Sequence, residues 1–174
     1  MNGLAPYGIA FVGLKDGETA FSYEIGPDFF EMFEGSPLSK SDVFVHLTFD
    51  KKPSLFVLSF FIDGSVTTEC DRCLQPFELP IQGQYRLVVK MKDEPTESDD
   101  PDVLFIRPSE HEVNVAQYIY EYINLSIPMQ KSCDLRVDTI RCDPEVLARL
   151  GITHEEHETD PRWDHLKDLK IQTK

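Results

Sequence analysis

Four cysteines carry most of the chemistry open to this chain. Cys70 and Cys73 stand three apart in "VTTECDRCLQPFELPI", between two strand-like runs. Cys133 and Cys142 are the only others, in "KSCDLRVDTIRC". A Cys-x-x-Cys pair can be a redox centre, half of a zinc site, or a tight turn that happens to hold sulfur. A redox pair of the thioredoxin type opens a helix, whose N-terminus lowers the thiol pKa. Pro76 and Pro80 leave no room for one here, which disfavours that reading. Two strands joined by a tight Cys-x-x-Cys turn have the shape of a zinc knuckle. The second pair, in an irregular segment, would then complete a tetrahedral set of four sulfurs. Eight residues separate Cys133 from Cys142, wider than a usual knuckle. Four unligated thiols, the first pair half-buried at a turn, remain the alternative to a structural zinc.

A second chemistry is written into "QYRLVVKMK". Tyr85, Leu87, Val89 and Met91 would share one face of a strand, and Arg86, Lys90 and Lys92 the other, with Val88 among them. Such a basic stripe could grip phosphates, although an ordinary wet face of an antiparallel sheet would look the same. The net charge of −14 works against nucleic-acid binding by bulk electrostatics. Any RNA contact must come from a local basic face or through a partner protein. His154 and His157, in the acidic stretch "THEEHETD", read as part of a solvated linker. The chain has no glycine-rich phosphate loop, no nucleophile elbow, and no cysteine with an evident histidine partner. The expectation is a protein that acts by binding, with no catalytic residues.

The elements that must position these residues change character along the chain. In the first half apolar residues alternate with period two. "YGIAFVGL" reads as a strand with Ile9 and Phe11 on one side, "KDG" as a turn, and "ETAFSYEI" as a strand facing Phe21, Tyr23 and Ile25 inward. "GPDFFEMFEG" reads as a short helix between Pro27 and Gly35. "DVFVHLTFD" puts Val43, Val45, Leu47 and Phe49 on one face, and "SLFVLSFFI" is apolar on both sides, as a central strand is. Asp63–Gly64 reads as a turn or bulge, and "FELPIQGQYRLVVKMK" as a long strand bent near Gly83. "DEPTESDDPD", residues 93–102, is an acidic loop.

The second half turns helical. Asn114 and Gln117 have capping-box spacing before "VAQYIYEYINL", whose Ala116, Ile119, Tyr120 and Ile123 would face the sheet. Asp143, Pro144 and Gly151 bracket a second helix. "DPRWDHLKDLK" repeats the Asp-Pro start at Asp160 and Pro161, with Lys167 and Lys170 at its C-terminal end. The sum is one α+β domain over 1–174. It would hold an antiparallel, barrel-like sheet in 1–92, the loop 93–102, and a mainly helical 103–174 that includes the possible metal segment 133–142. No apolar run reaches the ~20 residues that span a bilayer. Lys15 and Asp16 cut short the first apolar stretch, so no secretory signal is expected. A cytoplasmic location, with reduced thiols, follows from that reading.

"YGIAFVGLKDGETAFSYEI", "FIDGSVTTECDRCLQPFELPI", "NVAQYIYEYINLSIP" and "DPRWDHLKDLK", in this order, resemble the YceD-like family, the large ribosomal RNA subunit accumulation proteins, in its Bacteroidetes-type form. The resemblance spans nearly the whole chain, and Cys70 and Cys73 match the family's Cys-x-x-Cys. It implies a non-enzymatic bacterial factor that supports accumulation or processing of large-subunit (23S) ribosomal RNA, and hence ribosome assembly. The implied partners are the large-subunit rRNA precursor, ribosomal proteins, or both, with no membrane and no small-molecule substrate. Two modes fit. Arg86, Lys90 and Lys92 could contact RNA directly, or the acidic stretches 93–102 and 155–160 could dock basic ribosomal proteins.

Overall fold

The period-two pattern of the first half becomes a single five-stranded sheet in the computed structural model, which describes residues 4–38, 40–93, 99–133 and 142–151. Along the chain come β1 (Gly8–Ile9), β2 (Gly17–Ile25), α1 (Pro27–Phe30), β3 (Ser41–Lys51) and β4 (Leu55–Glu69). They are followed by β5 (Pro76–Met91), β6 (Val103–Ile106), β7 (Val113–Asn114), α2 (Ala116–Leu125) and α3 (Pro144–Arg149). The sheet order is β2-β3-β4-β5-β6. The first four strands are antiparallel neighbours, while β6 pairs with β5 in parallel. The α+β class is as the sequence predicts, but the barrel does not close. β6 returns beside β5 rather than reaching β2, and the two remain separate edges.

Register converts the alternation into one buried face. Val45, Leu47 and Phe49 of β3 align with Ile62, Phe60 and Leu58 of β4, Val43 aligns with Gly64, and Leu58 aligns in turn with Leu87 on β5. The apolar side chains of this set are buried. Each such side chain contributes about 1.5–3 kcal/mol relative to exposure, so slipping β4 by one residue would forfeit the whole set. β4 is central, as its apolar run implies, yet Ser59 on its other face is exposed and Phe61 half-buried.

What covers the buried face is α2. Ala116, Ile119, Tyr122 and Ile123 are its buried residues. Tyr122 stacks parallel on Tyr85, centroids 4.6 Å apart, and meets Phe60 edge-on. Tyr120 was expected on this face but turns instead to stack on Phe33, after α1, at 4.2 Å. Gly83 marks no simple bend. A Cβ there would collide with the Ser126 hydroxyl and the Tyr85 ring, so glycine lets the end of α2 come down on β5. Gly64 likewise sits inside a continuous ladder, paired with Val43 and Ile81, not in a turn. Its φ is +153°, and a Cβ would run into the Asp42 carbonyl, a close backbone approach that glycine alone allows.

Three local expectations differ. "YGIAFVGL" is not a full strand: 3-10 turns at Ala5–Tyr7 and Phe11–Gly13 flank the two-residue β1, which pairs only with β7. Ile9 and Phe11 are still both buried. The Lys51 ammonium holds the segment by donating to the Phe11 and Leu14 carbonyls at 3.0 and 2.8 Å. Residues 103–114 form β6 and β7 before any helix begins, because a four-residue apolar run such as "VLFI" carries no decisive period. The capping box is half made. Asn114 Oδ1 accepts from the Ala116 N–H at 2.9 Å, but Gln117 donates forward to Glu121. At α3 the cap is as expected: Asp143 accepts from the Glu145 N–H, and Gly151 follows at φ +68°. His154, His157 and the "DPRW" segment lie outside the described residues. Among the described residues no helix is long and apolar enough to cross a membrane.

Candidate metal centre

The turn between β4 and β5 is built around its first cysteine. The Cys70 N–H donates to the Gln75 carbonyl at 3.0 Å, and the Leu74 N–H donates back to the Cys70 carbonyl at 2.9 Å. Leu74 is held at φ +59°, the one non-glycine residue in the left-handed region among the described residues, at a cost of about 1–2 kcal/mol. This reversal leaves no helix after Cys70, as Pro76 and Pro80 foretold, and turns both sulfurs inward. The Arg72 N–H adds a 3.4 Å contact to the Cys70 sulfur.

The second pair is brought in by a clamp. The Asp71 N–H donates to the Lys131 carbonyl at 2.7 Å, and the Lys131 N–H donates to the Asp71 carboxylate at 2.6 Å. The Lys131 ammonium stands 3.9 Å from the same carboxylate. Two residues later comes Cys133, and Cys142 enters just ahead of the Asp143 cap of α3. Asp71 and Lys131 carry no sequence signal as a pair, since sixty residues separate them. The aspartate inside "CDRC" was the only hint, aspartate being a residue that bonds nearby backbone at turns.

The result is a closed cluster of sulfurs. Cys70 Sγ lies 3.6 Å from Cys142 Sγ, and Cys73 Sγ lies 3.6 Å from Cys133 Sγ. All four lie within 4.8 Å of one another, all are buried, and all are free thiols. Zinc bonds of about 2.3 Å in a tetrahedron place sulfurs roughly 3.8 Å apart, so the donor set fits a metal of that kind without rearrangement. Burial pushes the Cys70 thiol up, but backbone N–H groups, those of Cys73, Arg72 and Cys133, bring it down to about 6. Burial, together with hydrogen bonding to the neighbouring sulfurs, raises Cys133 and Cys142. One thiol is thus ready as a thiolate while Cys133 and Cys142 hold protons, the arrangement expected where four sulfurs share a space made for a cation. With all four positions taken by protein, the set suits a structural ion better than a catalytic one.

The basic stripe is elsewhere. Arg86 and Lys90 are exposed on the face of β5 that points away from α2, beside Ser59 and Leu55 of β4. Lys92 lies just past the end of β5, its ammonium 5.2 Å above the Phe105 ring. Lys90 and Lys92 are at the opposite end of β5 from the cysteines, so the structure gathers the four sulfurs and leaves the cations as a separate surface.

Residues 58–170 fit the family model described as large ribosomal RNA subunit accumulation protein YceD. The span takes in all four cysteines and all three cations of the stripe. No curated protein and no solved structure matches significantly.

Proposed function

The chain belongs to the YceD family of large ribosomal RNA subunit accumulation proteins, and from that premise we propose that it acts in the cytoplasm by binding large-subunit rRNA precursor or pre-ribosomal particles. It carries out no reaction of its own. The observation that supports direct contact is the placement of Arg86 and Lys90. In a chain of net charge −14, both are exposed on an open sheet face, and neither makes an ion pair among the described residues. Co-sedimentation of the protein with large-subunit precursors tests the reading. Reversing the charge of Arg86, Lys90 and Lys92 together should abolish it and lower the salt slope of RNA binding by up to ~3. Unchanged affinity and unchanged salt slope would remove these residues from the interface.

The four cysteines take one structural zinc in this reading, which fixes the β4–β5 turn to the segment entering α3. Metal analysis should find one zinc per chain, and four titratable thiols without metal would end that part of the proposal.

The net charge also favours a second mode, in which acidic surface docks basic ribosomal proteins and RNA is affected indirectly. Crosslinking in cells separates the two. RNA crosslinks on residues 84–92 support direct binding, and crosslinks to ribosomal proteins alone support the adaptor.

A further inference from the structure

The face of the sheet turned away from α2 is not a uniform wet surface. Register lays His46, Phe61 and Gln84 in one row across β3, β4 and β5, and Thr48, Ser59 and Arg86 in the next. These six side chains line a shallow open groove. Ser22 on β2 extends the first row and holds the imidazole, its Oγ 3.2 Å from His46 Nδ1. The His46 and Phe61 rings stand 6.4 Å apart and within 30° of parallel. Phe44, two residues along β3 on the same face, is 44% exposed. Aromatic rings left open among hydroxyls, an amide and a guanidinium leave apolar area in water, and the sheet itself gains no stability from that exposure.

Charge is unevenly placed on this face. Arg86 and Lys90 stand on β5 toward one end, whereas Glu18 and Glu24 on β2 and Asp42 and Asp50 on β3 lie across from them, with Asp63 on β4 and Glu78 further along β5. A duplex presents phosphates on both sides and keeps its bases stacked away, so the acidic flank would repel its second strand. A single strand needs one basic rail and brings bare bases that stack on aromatic platforms. A basic protein would settle on the acidic flank and leave the rings and Arg86 unused.

We propose that this face binds a single-stranded stretch of RNA, with bases stacked on Phe61, His46 and Phe44 and the sugar-phosphate backbone running along Arg86 and Lys90. Thr48, Ser59 and Gln84 supply donors and acceptors for base edges. The proposal rests on the RNA-binding reading above and adds to it the kind of RNA and the surface that takes it.

Fluorescence anisotropy of the full chain with a labelled single-stranded RNA of about 12 nucleotides, and with a duplex of the same sequence, provides the test. The single strand should bind at least tenfold tighter than the duplex. Phe61→Leu keeps apolar bulk but loses the ring, and should weaken single-strand binding roughly tenfold, as loss of one stacked base does. Phe44→Ala, at a more exposed position, should weaken it several-fold and guards against a folding artefact. Arg86→Glu should weaken it further and lower the salt slope by at least ~1.

Equal affinity for single strand and duplex would overturn the proposal. So would wild-type affinity in both aromatic variants, or variants that lose a basic ribosomal protein while keeping RNA. Co-sedimentation keeps the two levels apart. If wild type and aromatic variants all sediment with large-subunit precursors, the platform is wrong and the broader reading stands. If wild type does not sediment with them, the broader reading fails and takes the platform with it.

Discussion

The two ends of the β4–β5 pair are built on opposite plans. At the turn, Cys70 and Cys73 are buried, clamped by Asp71 and Lys131, and closed over by Cys133 and Cys142. Further along the same strands, Gln84 and Arg86 are exposed and Phe61 is half-buried, placed in a row by ladder register. The first region spends backbone strain at Leu74 and buries four ionisable groups to gain a fixed geometry. The second leaves side chains free to meet something outside. A buried cluster acts on the protein's own stability, whereas an exposed row acts on partners. Perturbing each should therefore move different measurements.

Metal removal should have the largest effect. Cys133→Ser, or exhaustive chelation of the wild type, should cost several kcal/mol, because the free energy of metal binding to a site formed only in the folded state is folding free energy. A fall of about 10 °C or more in Tm would register it. The near-ultraviolet circular dichroism of the Tyr85–Tyr122 stack should persist, since α2 packs on the sheet through contacts that do not involve the sulfurs. Loss of the stack together with the metal would mean that the two regions are one cooperative unit, and the contrast between them would fail.

pH sharpens the same contrast. Cys133 and Cys142 are raised, so in the metal-free protein they carry protons at neutral pH and must release them on binding. Cys70, near 6, is already ionised there. Zinc affinity should then rise by roughly a hundredfold or more per pH unit through neutrality, and more steeply below about 6, where Cys70 also holds a proton. For the metal-free fold the sign is separate. The Cys70 pKa lies below its ordinary 9.0. Between the two values the folded state binds fewer protons, so its contribution is complete above 9 and is lost as pH falls through about 6. Metal titrations at several pH values check the first, and denaturant unfolding of chelated protein the second. RNA binding by the open face should not follow the steep thiol profile.

How much of this could be read from the sequence differs between the regions for physical reasons. The inward face of the sheet was legible because Val43 to Phe49 alternate strictly and one buried face fixes register. The cysteine inventory was legible, and so was the exclusion of a redox helix, from Pro76 and Pro80. What brings Cys133 to Cys73 was not, because the Asp71–Lys131 clamp is a long-range contact with no local pattern. Gly64 looked like punctuation, since Asp-Gly usually marks a turn. The chain instead runs straight through it, because the glycine answers a neighbouring strand rather than its own backbone. The parallel return of β6 followed from nothing in "VLFI" itself. The row of His46, Phe61 and Gln84 could not be seen before strand pairing was known, although each residue is plain in the sequence.

Gly64→Ala comes next in size and tests whether the ladder itself carries the open face. The added methyl group would meet the Asp42 carbonyl and the Val43 Cα, both backbone, at a φ that side chains rarely adopt. A loss of about 2–3 kcal/mol is expected. Ser65↔Pro80 and Asp63↔Gln82 adjoin this position, so a shift there would disturb the aromatic row from one end. Metal content should stay at wild type, because the cysteines are positioned by their own turn and clamp. If Gly64→Ala releases the metal as readily as it lowers stability, the turn depends on the ladder after all.

The smallest effect should come from the open face itself. Phe44→Ser and Arg86→Ala replace exposed side chains whose neighbours are solvent or polar groups, and changes of that kind usually fall within about 0.5 kcal/mol. Phe44→Ser removes apolar area from water and so has reason to be neutral or slightly stabilising, which is the sign that distinguishes a ring kept for a partner from a ring kept for the fold. Chemical denaturation resolves a difference of that size when the m-value is unchanged. A loss above ~1.5 kcal/mol for Phe44→Ser would mean that the ring packs against structure rather than awaiting a ligand. The face would then be a second layer of core, and the division between a buried centre and an open one would have to be redrawn.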